Sequence, residues 1–94
     1  MKKIVGNLEI SRLAGGIKMY KCPIDGTLLA EVYDDGRYVT YPACEHFEWH
    51  ELSKAMYFLG FGDIDPEELE YIRKNTKLLF EQGMFVIALV QKQS

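Results

Sequence analysis

Two turn signals fix the middle of this chain. Asp25-Gly26 and Asp34-Asp35-Gly36 each pair a carboxylate that can bond its own backbone with a glycine free to take positive φ, as tight turns demand. Between them, Thr27 to Tyr33 alternates, with Leu28, Ala30 and Val32 on one side and Leu29, Glu31 and Tyr33 on the other. That is the period of a strand. Lys18 to Lys21 precedes the first turn. Arg37 to Tyr41 follows the second and stops at Pro42, which has no N–H to give a ladder. The spacing predicts a three-stranded antiparallel meander over roughly Ile17–Tyr41. Farther upstream, Lys3 to Ile10 reads as a strand with a turn or bulge at Gly6-Asn7.

The carboxy-terminal half reads as helical. Trp49, Leu52, Met56 and Leu59 share a stripe at about 100° per residue, which predicts a first helix from Glu45 or His46 to Leu59, stopped by Gly60 and Gly62. Asp65 is an N-cap, Pro66 fits the first helical position, and Glu68 stands three residues beyond the cap, in the manner of a capping box. Leu69, Ile72, Thr76, Leu79 and Phe80 then line one face, which predicts a second helix running to a stop at Gly83. Met84 to Val90 is apolar on both faces and reads as a central strand. The expectation is a single α+β domain over residues 1–94: a small antiparallel β-meander, two helices and a carboxy-terminal strand returning to the sheet.

Charge limits the partners. The net charge of −3 is uneven: residues 1–21 hold five Lys/Arg against Glu9, whereas residues 22–94 hold six against thirteen acids. Nucleic acid is bound largely by neutralising phosphates, so an acidic chain is a poor generic binder, and a protein partner is favoured. Lys18 and Lys21, with Lys2, Lys3 and Arg12, form the basic group that a nucleic-acid role would use. A stacking surface for single strands would draw on Tyr20, Tyr33, Tyr38, Tyr41, Phe47 and Trp49, although tyrosines on a small sheet are ordinarily packing residues. No apolar run reaches the length of a membrane span, and nothing resembles a signal peptide. A cytoplasmic setting, no membrane partner and a possible homo-oligomer through a sheet edge are the corresponding expectations.

The soft metal ligands fall in two short segments. Cys22 stands in Cys22-Pro23-Ile24-Asp25-Gly26, and Cys44, His46 and His50 share Cys44-Glu45-His46-Phe47-Glu48-Trp49-His50. Thiolate and imidazole suit zinc, which takes four ligands in a closed structural site. On a helix, His46 and His50 would point the same way. Cys22 ends the first strand of the meander and Cys44 follows its third, so a sequential sheet places their backbones about 10 Å apart. The expected metal ligands are Cys22, Cys44, His46 and His50, with Asp25 as a substitute fourth and otherwise a turn residue. Two alternatives stay open: free buried cysteines and a Cys22–Cys44 disulfide.

The segment Cys22-Pro23-Ile24-Asp25-Gly26 also resembles the first knuckle of a zinc ribbon, in which Cys-Pro-x-Cys-Gly opens a hairpin. Asp25 stands in the place of the second cysteine, and Cys44-Glu45-His46 stands near the second knuckle but lacks its Cys-x-x-Cys spacing. The resemblance covers about a quarter of the chain. It implies a metal that holds a small sheet together in a domain contacting protein or nucleic acid.

Catalysis has less to stand on. His46-Phe47-Glu48-Trp49-His50 does not have the spacing of a His-Glu-x-x-His protease helix, because Glu48 would point about 200° from His46. A thiol or zinc enzyme centred on Cys44, His46 and His50 remains the alternative, with Cys44 activated at a helix start. No third orienting group and no oxyanion feature accompanies it. The functional expectation is a small non-enzymatic interaction module stabilised by one zinc. A metal-free domain acting through a protein-binding surface is the further alternative.

Overall fold

The computed structural model describes residues 9–12 and 16–93. Strand β1 (Glu9–Arg12) pairs antiparallel with β2 (Lys18–Lys21), β2 with β3 (Leu28–Val32), and β3 with β4 (Tyr38–Thr40), giving a four-stranded sheet in sequential order. The expected meander is therefore present and is extended by β1. Most of the strand expected over Lys3–Ile10, including the Gly6-Asn7 interruption, lies outside the described residues.

The segment expected as the first helix is a strand. β5 (Phe47–Ser53) pairs with β7 (Phe85–Gln91) through seven successive partners, from Phe47↔Gln91 to Ser53↔Phe85. Only Ala55–Leu59 is helical, as one wide π turn ended by Gly60. The stripe that suggested a helix divides between two faces: Trp49 packs beside Phe47 on one side, and Leu52 packs on the other. Seven ladder pairs outweigh the weak helix preference of Glu48, Glu51 and Leu52, since propensities amount to tenths of a kcal/mol per residue.

The second helix is also shorter than its sequence pattern. α1 (Pro66–Asn75) starts as expected, with Asp65 Oδ1 accepting the Glu67 N–H at 2.9 Å. It ends at Thr76, where the backbone turns extended and the hydroxyl donates back to the Ile72 carbonyl. Residues Thr76–Gln82 form β6, which pairs with β7. Gly83 and Met84 are the two-residue connection between Gln82 and its partner Phe85, and Gly83 has φ of 57°. Gly83 thus opens a mirror-image hairpin turn, a geometry that favours glycine at this position, rather than stopping a helix.

The second sheet has the order β5-β7-β6, so β7 is central, in line with its apolar character on both faces, but it joins this sheet and not the meander. Leu78, Phe80 and Leu89 face the first sheet and bury with Tyr20, Leu29, Ala30, Val32 and Phe47. Leu79, Val86, Ala88 and Val90 face the other way, against Ile72 of α1 and Tyr57 of the π turn. The result is three layers: sheet, sheet, helix. The two sheets meet around Phe80, which stacks on Tyr38 with ring centroids 4.1 Å apart and planes 3° apart, and lies 6.4 Å from Trp49. No helix among the described residues is long and apolar enough to cross a membrane.

Because Phe80 is fully buried between the sheets, Phe80→Ala should cost about 3–5 kcal/mol in denaturant unfolding. Leu59→Ala, at a side chain 67% exposed, should stay within about 0.5 kcal/mol. Equal effects would contradict this placement of the core.

Candidate metal centre

One arm of the site is the hairpin between β2 and β3. The Cys22 N–H donates to the Thr27 carbonyl at 2.9 Å, and the Gly26 N–H donates to the Cys22 carbonyl at 3.0 Å. This turn needs Gly26 at φ of 77°, a region open to glycine at little steric cost. Asp25 Oδ1 accepts the Thr27 N–H at 2.9 Å, which leaves Oδ2 free to face inward. Cys22, just past β2, is fully buried, and its sulfur accepts the Ile24 N–H at 3.4 Å.

The other arm is the link from β4 to β5, residues 41–46. Its first residue is tied down by Trp49, whose Nε1–H donates to the Tyr41 carbonyl at 2.9 Å. Its last is tied by the Lys92 N–H, which donates to the His46 carbonyl at 2.9 Å. Between these anchors the His46 N–H donates to Cys44 Sγ at 3.4 Å. The core therefore positions both ends of a short segment that holds a thiol and an imidazole.

The two arms meet. One ligand atom each from Cys22, Asp25, Cys44 and His46 lies within 4.8 Å of all the others, an arrangement that can hold a metal ion. His46 Nδ1 is 3.7 Å from Cys22 Sγ and 3.2 Å from Asp25 Oδ2. Both cysteines are free thiols. Burial pushes the Cys22 thiol up, against the lowering effect of backbone N–H donors, so an incoming cation must displace its proton. Thr27, through its hydroxyl and its amide, holds the Asp25 carboxyl down at about 2, with smaller help from Cys22 and His46. Asp25 thus presents a carboxylate already ionised at neutral pH.

His50 lies outside this group. On β5 it is four extended residues beyond His46, about 13 Å of backbone, and its Nε2 pairs instead with Glu48 Oε1 at 2.9 Å. The shared helical face that would have joined the two imidazoles does not exist in a strand, and neither does the helix start that would have activated Cys44. The trio Cys44, His46 and His50 is not assembled. Asp25 completes the group instead, and the sequence signal for it was the zinc-ribbon-like spacing after Cys22.

Lys18 and Lys21 open and close β2, with Lys18 in register beside Arg12 and Lys21 beside Glu9. The aromatic platform is dispersed: Tyr20 and Phe47 are in the core, and Tyr38 and Trp49 pack against it. No family model, curated protein or solved structure matches this chain.

Cobalt titration separates the two ligand sets. Co(II) should bind with thiolate charge-transfer bands and strong visible absorption, and His50→Ala should leave spectrum and affinity unchanged. Loss of even a supporting residue commonly weakens metal binding 10- to 100-fold, so Asp25→Ala should weaken it by at least about 100-fold. The reverse pattern would return the fourth position to His50.

Proposed function

We propose that this chain is a small non-enzymatic interaction module whose two sheets are locked together by one structural zinc ion held by Cys22, Asp25, Cys44 and His46. The observation that supports this most directly is the convergence of two thiols, an imidazole and a carboxylate from the two arms. A tetrahedral zinc with bonds of about 2.3 Å to sulfur and about 2.1 Å to nitrogen and oxygen has S–N and N–O edges of about 3.6 and 3.4 Å. The separations of 3.7 and 3.2 Å around His46 are close to those edges. Four protein ligands leave no open position for a reacting water, which is the coordination of a structural rather than a catalytic site.

The location supports the same role. The hairpin arm belongs to the first sheet and the link arm leads into the second, so an ion between them joins the two sheets at one end. Elsewhere they are held by apolar packing around Phe80.

A protein is the partner favoured by the surface. The chain is acidic overall, and large apolar side chains stand in solvent, with Leu59, Phe61 and Met84 exposed at 67%, 65% and 79%. Exposed apolar groups are characteristic of protein-contacting surfaces when they gather into a patch, and the Met84–Phe85 tip forms one with Ala55 across a shallow cleft.

Purified protein should contain one zinc per chain. Free zinc at about a thousand times its dissociation constant adds about 4 kcal/mol of stability, so a chelator should lower the melting temperature by at least about 15 °C. Absence of metal together with unchanged melting would overturn the zinc reading. Single-stranded oligonucleotides should show no binding at physiological ionic strength. Salt-sensitive binding weakened by Lys18→Ala with Lys21→Ala would instead assign the module to nucleic acid.

A further inference from the structure

We infer that Cys22 and Cys44 form a reversible thiol–disulfide pair through which a hydroperoxide controls occupancy of the metal site. The inference rests on the zinc reading above and adds regulation to it. The two sulfurs belong to a cluster whose ligand atoms all lie within 4.8 Å of one another, and both are reduced. Their surroundings differ. Cys22 is fully buried at the end of a hydrogen-bonded hairpin, whereas Cys44 is only partly buried and sits in the irregular link 41–46, outside any ladder. Small oxidants therefore meet Cys44 first, and Cys22 stands behind it as the resolving thiol, the arrangement in which oxidation stops at a disulfide.

The chemistry balances with a hydroperoxide as oxidant. The Cys44 thiolate attacks the peroxide oxygen, the O–O bond breaks, and hydroxide (or an alkoxide) leaves and takes a proton. The Cys44 sulfenic acid is then attacked by the Cys22 thiolate. The S–S bond forms, the S–O bond breaks, and the hydroxide that leaves takes up the proton given up by the Cys22 thiol to become water. Two thiols lose two electrons and two protons, and the peroxide is reduced by two electrons. A disulfide lacks the thiolate charge that holds zinc, so only Asp25 and His46 remain as ligands and the ion leaves. A covalent bridge then replaces the ion between the hairpin and the link. A reducing thiol restores both cysteines and the site.

The test uses full-length protein, zinc-loaded and metal-free, treated with hydrogen peroxide and followed by intact mass and a chromophoric zinc indicator. Both forms should lose the mass of two hydrogens. The loaded form should release one zinc per chain, and a thiol reductant should reverse both changes. In Cys22→Ser the reaction should stop at a sulfenic acid on Cys44, trapped by a dimedone adduct. A product that gains two or three oxygens, or oxidation with zinc retained, would overturn the switch. A chain that takes up no zinc yet closes the disulfide overturns the metal half of the proposal and the zinc reading with it. A chain that binds zinc and never loses the two hydrogens overturns the switch alone.

Discussion

The burial of β7 on both faces is the constraint from which the other contacts follow. Leu89 needs apolar neighbours on one side, and Val86, Ala88 and Val90 need them on the other. A strand of this kind is satisfied only at the centre of a sheet that is covered twice. β5 and β6 flank it, the meander covers one face, and α1 with the π turn covers the other. The aromatic stack of Phe80 on Tyr38 sits between the two sheets, where aromatic pairs add to the burial term through their geometry.

The candidate centre is a consequence of that packing. Trp49 packs against the core and, through its indole N–H, fixes the start of the link at Tyr41. β5 pairing with β7 fixes its end, because Lys92, just past β7, holds the His46 carbonyl. Cys44 and His46 are thus delivered to one edge of the molecule by contacts that have nothing to do with metal. The hairpin brings Cys22 and Asp25 to the same edge through turn chemistry alone. A metal bound there adds little new order and so loses little conformational entropy on binding, which is the advantage of a preformed site.

Much of this was legible in the sequence where one local signal had one meaning. Asp25-Gly26 and Asp34-Asp35-Gly36 announced the meander, Asp65-Pro66 announced the start of α1, and the unbroken apolar run announced a central strand. The failures share one cause. Trp49 and Leu52 are three apart, and Leu79 and Phe80 continue the spacing of Leu69 and Ile72, so each group fits a helix stripe and also fits a strand buried on both faces. Only the long-range ladder with β7 decides between them, and a local window does not contain it. The site inherited this error in one residue. Pairing His46 with His50 depended on a helix, whereas Cys22 and Cys44 depended only on where the meander begins and ends. Asp25 was visible as a turn former, and its second carboxylate oxygen is what the turn leaves over.

The proposed redox and structural roles both require two sulfurs on one metal. X-ray absorption at the zinc edge of the loaded protein measures this directly. The result expected is a shell of two sulfurs at about 2.3 Å and two lighter atoms at about 2.0–2.2 Å. A shell of nitrogen and oxygen alone, or one with a single sulfur, would contradict a centre built from Cys22, Asp25, Cys44 and His46.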